Sequence, residues 1–184
     1  MMTDQRRVLL IGLGNPGADY ENTYHNVGAL ALDRVMETMP GRGAAHWEVH
    51  KKLFFYAKSG ELTFVRPLTF MNVSGAAVRE AARKFNVLPE HIIVLHDDSD
   101  LPLGTWKISR ARGAAGHHGI ESIVAALGSN DFTRIRIGIR PAREIVRKKA
   151  EDFVLKQITK SSADALQKVF LSIAETPITK ILSL

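Results

Sequence analysis

The apolar positions of the chain fall into short runs and stripes whose periods predict alternating strands and helices. Residues 8–11 are branched aliphatics closed by Gly12, Asn15, Pro16 and Gly17, the pattern of a buried strand entering a loop. Beyond the loop, Val27, Leu30, Ala31 and Val35 recur at helical spacing, and the stripe runs out before Pro40 and Gly41. Two candidate strands, 54–58 and 62–66, flank Ser59 and Gly60 as a hairpin would. Ser74 is the predicted N-cap of a second helix, whose face is Val78, Ala81, Ala82 and Phe85. Residues 91–95 predict another buried strand, ending in an acidic turn at Asp97, Asp98 and Asp100.

Residues 106–110 alternate as a half-buried strand, and the glycine-rich stretch 113–119 leads into a helix bearing Ile120, Ile123, Val124 and Leu127. In 133–140, alternation turns Ile135, Ile137 and Ile139 toward a core and leaves Arg134, Arg136 and Arg140 on a basic face. Leu166, Val169, Phe170 and Ile173 mark a C-terminal helix. No repeat, low-complexity tract or linker interrupts the chain. The expectation is one α/β domain over 1–184, a mixed and mostly parallel twisted sheet with helices on both faces.

Composition narrows the chemistry. The 184 residues are 45% hydrophobic, enough to bury a core without staples. There is no cysteine, which removes disulfides, thiolate nucleophiles and Cys-ligated zinc. A net charge of +6 favours a polyanionic partner, although solubility explains it equally well. The first apolar run is too short for a signal segment or membrane span, so a cytoplasmic protein with no membrane partner is expected, by default a monomer.

Gly12, Gly14 and Gly17 satisfy G-x-G-x-x-G directly after a strand, which raises a dinucleotide site. The context argues against it. The acidic candidates Asp33 and Glu37 lie inside the predicted first helix instead of at a second strand end, and that helix starts near Asn26, well past the glycines.

The loops expected at the carboxyl edge of the sheet carry Asn15, His25, Asn72, Asp97 and the pair His117-His118, positions that could converge on one cleft. A histidine oriented by a carboxylate is suited to take a proton from water. Each residue also has a plainer reading: Asn15 and Asn72 as turn formers, His25 as a helix-end residue, the aspartates as a solvated turn. The local spacing of His96 and the aspartates matches no common metal motif, and no metal or other cofactor is expected.

Six blocks, taken together, resemble the bacterial peptidyl-tRNA hydrolase family. They are residues 12–17 (GLGNPG), 25–28 (HNVG), 69–75 (TFMNVSG), 96–102 (HDDSDLP), 116–117 (GH) and 134–139 (RIRIGI), in the family's order and spacing. The resemblance implies a cofactor-free esterase that cuts the bond between a peptide and the 3′ ribose of tRNA, recycling tRNA from stalled translation. It implies His25 as general base, Asp97 as its orienting carboxylate, Asn72 as the amide holding water or the oxyanion, and Asn15 as the residue that tells a blocked peptide from a free aminoacyl amine. Tyr20 and Phe70 match substrate-contact positions, with core packing an alternative for Phe70. Arg134, Arg136, Arg140 and Lys148 are candidates to follow the phosphates of the tRNA acceptor end, and a solvated charge run is the alternative.

Two positions depart from the family pattern. His118 stands where the family usually has Asn, and Tyr24 where it usually has Arg before the catalytic His. The mismatch at His118 keeps open a catalytically inactive RNA-binding homologue.

Overall fold

The computed structural model describes residues 7–38, 46–141 and 151–183. A seven-stranded sheet runs through the molecule in the order β2-β3-β4-β1-β5-β7-β6. Its strands are β1 (Val8–Gly12), β2 (Glu48–His50), β3 (Phe54–Ser59), β4 (Leu62–Pro67), β5 (Ile92–Pro102), β6 (Trp106–Arg110) and β7 (Thr133–Arg140). The central strands β4, β1, β5 and β7 pair in parallel, and antiparallel pairings at both edges complete a mixed sheet. The hairpin and the four central strands follow the sequence pattern. β2, a short edge strand with two of its three residues exposed, carries no hydrophobic run by which it could be recognised.

Alternation along the central strands supplies two cores. Leu10, Ile93, Leu95, Ile135 and Ile137 join residues of α1 (Val27–Thr38) and α5 (Lys160–Glu175) on one face. Leu9, Ile11, Ile92 and Val94 join residues of α2 (Ser74–Phe85) and α3 (His118–Leu127) on the other. Two short helices, α4 (Glu151–Val154) and α6 (Ile178–Leu182), flank α5 in sequence. Among the described residues, no helix is long and apolar enough to cross a membrane.

The structure corrects three expectations. The acidic segment is not a turn: β5 continues through it to Pro102, with a register shift against β7 after Asp98. Asp97 and Asp98 are accordingly buried. Ser74 is the first residue of α2, not its cap, and its hydroxyl donates back to the Phe70 carbonyl at 3.4 Å. The arginines of β7 do not form a free basic face. Arg134 is 4% exposed and donates to the Gly113 carbonyl, while Arg136 bonds Asp98 at 2.6 Å. Arginine in these positions stays inside the fold because each guanidinium has an acceptor in reach. Arg140 is half-buried, and Lys148, with Arg143, Arg147 and Lys149, lies outside the described residues.

Gly12 and Gly28 serve packing. A Cβ at Gly12 would meet Leu32 and the Gly28 carbonyl, and one at Gly28 would fall on the carbonyl of Leu95. These absences let α1 lie against the ends of β1 and β5. Leu13 then donates to Leu95 O and accepts from Ala29 N, tying the first turn of α1 to β5 at 3.0 and 2.9 Å.

Candidate active site

That tie decides where His25 meets Asp97. His25 sits in a 3-10 turn, Tyr24–Asn26, immediately ahead of α1, and Asp97 lies just past Leu95 on β5. His25 Nδ1 and Asp97 Oδ1 are 2.8 Å apart. His117, at the N-cap of α3, places its Nε2 on the same oxygen at 2.9 Å. One buried carboxylate oxygen therefore serves two imidazoles.

The protons follow from the partners. His117 Nδ1 accepts from the backbone N–H groups of Gly119 and Ile120, so its proton is on Nε2 and points at Asp97. Burial alone would raise the Asp97 pKa, yet the charges and hydrogen bonds of His117 and His25 hold it below the usual carboxylate range. An ionised carboxylate only accepts, so His25 donates from Nδ1 and keeps the Nε2 lone pair. Burial disfavours the charged imidazole, but the Asp97 charge and hydrogen bond outweigh it and raise the His25 pKa above its ordinary 6.5. The site thus holds an imidazole of fixed tautomer and increased basicity. His25, Asp97 and His117 have donor atoms within 4.8 Å, the composition of a cation site. With the His117 proton directed at Asp97 by the backbone, that nitrogen has no lone pair to give a metal.

The pair opens on a cavity of about 400 Å3 whose walls include His96, Asp98, Asp100, Arg112, the 113–118 loop, Arg134, Arg136 and Val154. Gly116 adopts φ +78° in this loop, a conformation that suits glycine, and thereby turns His117 inward. His96 is fully enclosed: Nδ1–H donates to the Asp97 carbonyl at 2.7 Å and Nε2 has no partner. Burial, then the neighbouring His117, push its pKa well below 6.5, so it is neutral.

The expectation that all the polar loops line one cleft needs revision. His25, Asp97, His117 and His118 share the main cavity, Asn15 borders a separate hollow of about 210 Å3, and Asn72 lines neither. Asn15 is nevertheless the knot between loops. Its backbone N–H and C=O bond the Asn26 side chain, and its Oδ1 accepts from the backbone N–H of Met71 at 2.8 Å. It is thereby joined to the residue after His25 and to the residue before Asn72. The Asn72 side chain is exposed in the 3-10 turn Met71–Val73. Phe70 is 53% exposed, not core, and meets Tyr20 edge-on at 6.2 Å. His118 is the first residue of α3, with its imidazole 58% exposed beside Glu121. The sequence reading places His117 beside His118 among the cleft residues but gives it no role, and it raises His96 only as a metal-ligand reading. The signal for His117 is its place after a glycine and before an apolar stripe, where a side chain caps a helix.

The geometry agrees with three comparisons. A family model described as peptidyl-tRNA hydrolase matches residues 9–182. A peptidyl-tRNA hydrolase of Chlamydia abortus is 38% identical over 169 residues, covering 89% of this chain and 90% of that protein. One from Marinobacter nauticus is 40% identical over 164 residues, covering 89% and 83%. The crystal structure of peptidyl-tRNA hydrolase from Acinetobacter baumannii shares the fold, with TM-score 0.80 at 22% identity over 95% of this chain and 87% of that one. A complex of peptidyl-tRNA hydrolase with N-propanol superposes with TM-score 0.81 at 22% identity over 99% and 90%. By matched length and identity, this chain belongs to the peptidyl-tRNA hydrolase family.

Proposed function

We propose that the chain hydrolyses the ester joining a peptide to the 3′ ribose of tRNA, with His25 as general base. The observation that carries the reading is the His25–Asp97 pair, which leaves Nε2 as a lone pair in a cavity beside three arginines. Water attacks the ester carbonyl carbon while its proton passes to His25 Nε2. The carbonyl–ribose bond then breaks, the ribose oxygen takes a proton from the imidazolium, and the peptide leaves as a carboxylic acid. Asp97 holds the imidazole and stabilises its transient charge.

Asn72 is proposed to donate to the developing oxyanion, in line with an exposed side chain that makes no hydrogen bond among the described residues. Asn15 spends its Oδ1 on Met71, which leaves Nδ2 as a donor suited to a peptide carbonyl and unsuited to a free ammonium. Tyr20 and Phe70 offer an exposed aromatic corner for substrate. Arg112, exposed on the cavity wall, supplies positive charge to the acceptor end of tRNA, while Arg134 and Arg136 are held by Gly113 and Asp98. The protein is proposed to act as a cytoplasmic monomer. No observation favours the inactive alternative, since exposed His118 leaves the His25–Asp97 pair intact.

The test is release of blocked amino acid from N-acetyl-aminoacyl-tRNA in the presence of EDTA, with unblocked aminoacyl-tRNA alongside. Turnover that survives EDTA, is lost in His25→Ala and spares the unblocked substrate is expected. Tight tRNA binding by folded wild type without turnover would overturn the reading.

A further inference from the structure

We propose that Tyr24 is a positioning residue for His25, clamping the turn that carries the base to segment 153–162. The inference rests on the general-base reading above. Tyr24 and His25 are adjacent in a 3-10 turn whose preceding residue, Thr23, supplies no side-chain cap. Such turns hold themselves weakly, so outside contacts decide their orientation.

Tyr24 provides those contacts on one side, as Asn26 bonded to Asn15 does on the other. It is 3% exposed, its hydroxyl donates to Ser162 Oγ at 2.8 Å, and its ring stacks on Phe153 at 4.4 Å and 27°. The backbone adds Tyr24 N to Lys156 O at 3.2 Å, Ile158 N to Asn22 O at 2.8 Å, and a bridge between Thr23 and Gln157. Val154, next to Phe153, is itself a wall of the cavity. One segment thus bounds the cavity and grips the turn from behind, while His25 must keep 2.8 Å to Asp97 in front. Misplacement of a reacting group by about 1 Å can cost on the order of 100-fold in rate, so a modest shift of this turn is kinetically visible.

The substitution Tyr24→Phe is a clean probe, because Ser162 Oγ keeps its bond to Thr159 at 2.9 Å and no buried group is orphaned. Tyr24→Leu removes the ring stacking as well. His25 shares its cavity with Asp97, Asp98, Asp100, His96, His117 and His118, besides Arg112, Arg134 and Arg136. Neither variant alters any of them, so a changed His25 titration reports its contact with Asp97.

The experiment pairs kinetics on N-acetyl-aminoacyl-tRNA with an NMR titration of the His25 imidazole without substrate. For Tyr24→Leu the expected results are a kcat roughly tenfold lower, a KM within about twofold, and a His25 titration moved to lower pH. Tyr24→Phe should lie between it and wild type. A His25 titration unchanged in Tyr24→Leu would overturn the proposal, as would a change confined to thermal stability or to KM. The NMR arm keeps the test independent: if wild type fails to cleave the ester, the proposed function falls, while the titration still decides the role of Tyr24.

Discussion

Replacing Asp97 by Asn keeps the side-chain shape and an oxygen acceptor for both imidazoles but removes the charge they share. Asp97 is 3% exposed and His25 13%, so solvent screening between them is small. Taking charge centres about 4 Å apart and an effective dielectric of about 20, the lost attraction for the imidazolium formed during catalysis is ~4 kcal/mol. At 1.36 kcal/mol per decade, that corresponds to on the order of 10³ in kcat. The Asn oxygen keeps a dipolar hydrogen bond to the imidazolium, which retains part of that stabilisation, so a fall of roughly 10²- to 10³-fold is expected. The assay is saturating turnover of N-acetyl-aminoacyl-tRNA across pH, with circular dichroism to check folding. The wild-type acid limb should lie above pH 6.5, because Asp97 raises the His25 pKa, and should move down in the variant. A folded variant that loses less than about tenfold, or retains the limb, would refute the assignment of Asp97 as the electrostatic partner of the base.

Asn72→Ala should lower kcat by roughly 10²- to 10³-fold with stability changed by less than ~0.5 kcal/mol, as measured by steady-state kinetics and urea melts, since its side chain is exposed and makes no hydrogen bond among the described residues. Gly28→Ala places a methyl on the Leu95 carbonyl, which should destabilise by about 1–3 kcal/mol in urea denaturation and lower kcat as α1 moves off β5. Arg136→Met leaves Asp98 buried without its cation and should cost about 3–5 kcal/mol in the same denaturation assay; unchanged stability with a weaker salt dependence of tRNA binding would mark Arg136 as a free phosphate contact instead. His96 is neutral when folded and charges when unfolded, so below pH 6.5 it binds a proton only in the unfolded chain and stability falls with falling pH. His96→Asn should flatten the stability-against-pH slope just below pH 6.5 by up to ~1.4 kcal/mol per unit, read from denaturation curves.

Much of this was legible in the chain because the controlling physics is local. The branched run at 8–11, the stripe of Val27, Ala31 and Val35, and the alternation of Ile135, Ile137 and Ile139 are each enough to name an element and its buried face. The candidate base, its carboxylate and the two asparagines were legible as polar residues placed where strands give way to helices. The chemical roles expected of them came through the motif blocks, since spacing alone left plainer readings open.

Other features depend on partners distant in sequence, and no local pattern reports those. Whether Asp97 sits in a solvated turn or a buried strand turns on β7 being present to extend the pairing past Leu95. Arg134 and Arg136 look like a basic face until Gly113 and Asp98 are brought beside them. Asn15 is tied to the residue before Asn72 only because its Oδ1 accepts from the Met71 N–H across the loops. The same reason governs the two-histidine arrangement on Asp97 and the anchoring of Tyr24 by Ser162. A sequence determines what each residue is able to donate, accept or bury, but only packing decides which partner comes within 3 Å, and for an ionisable group that partner sets its charge.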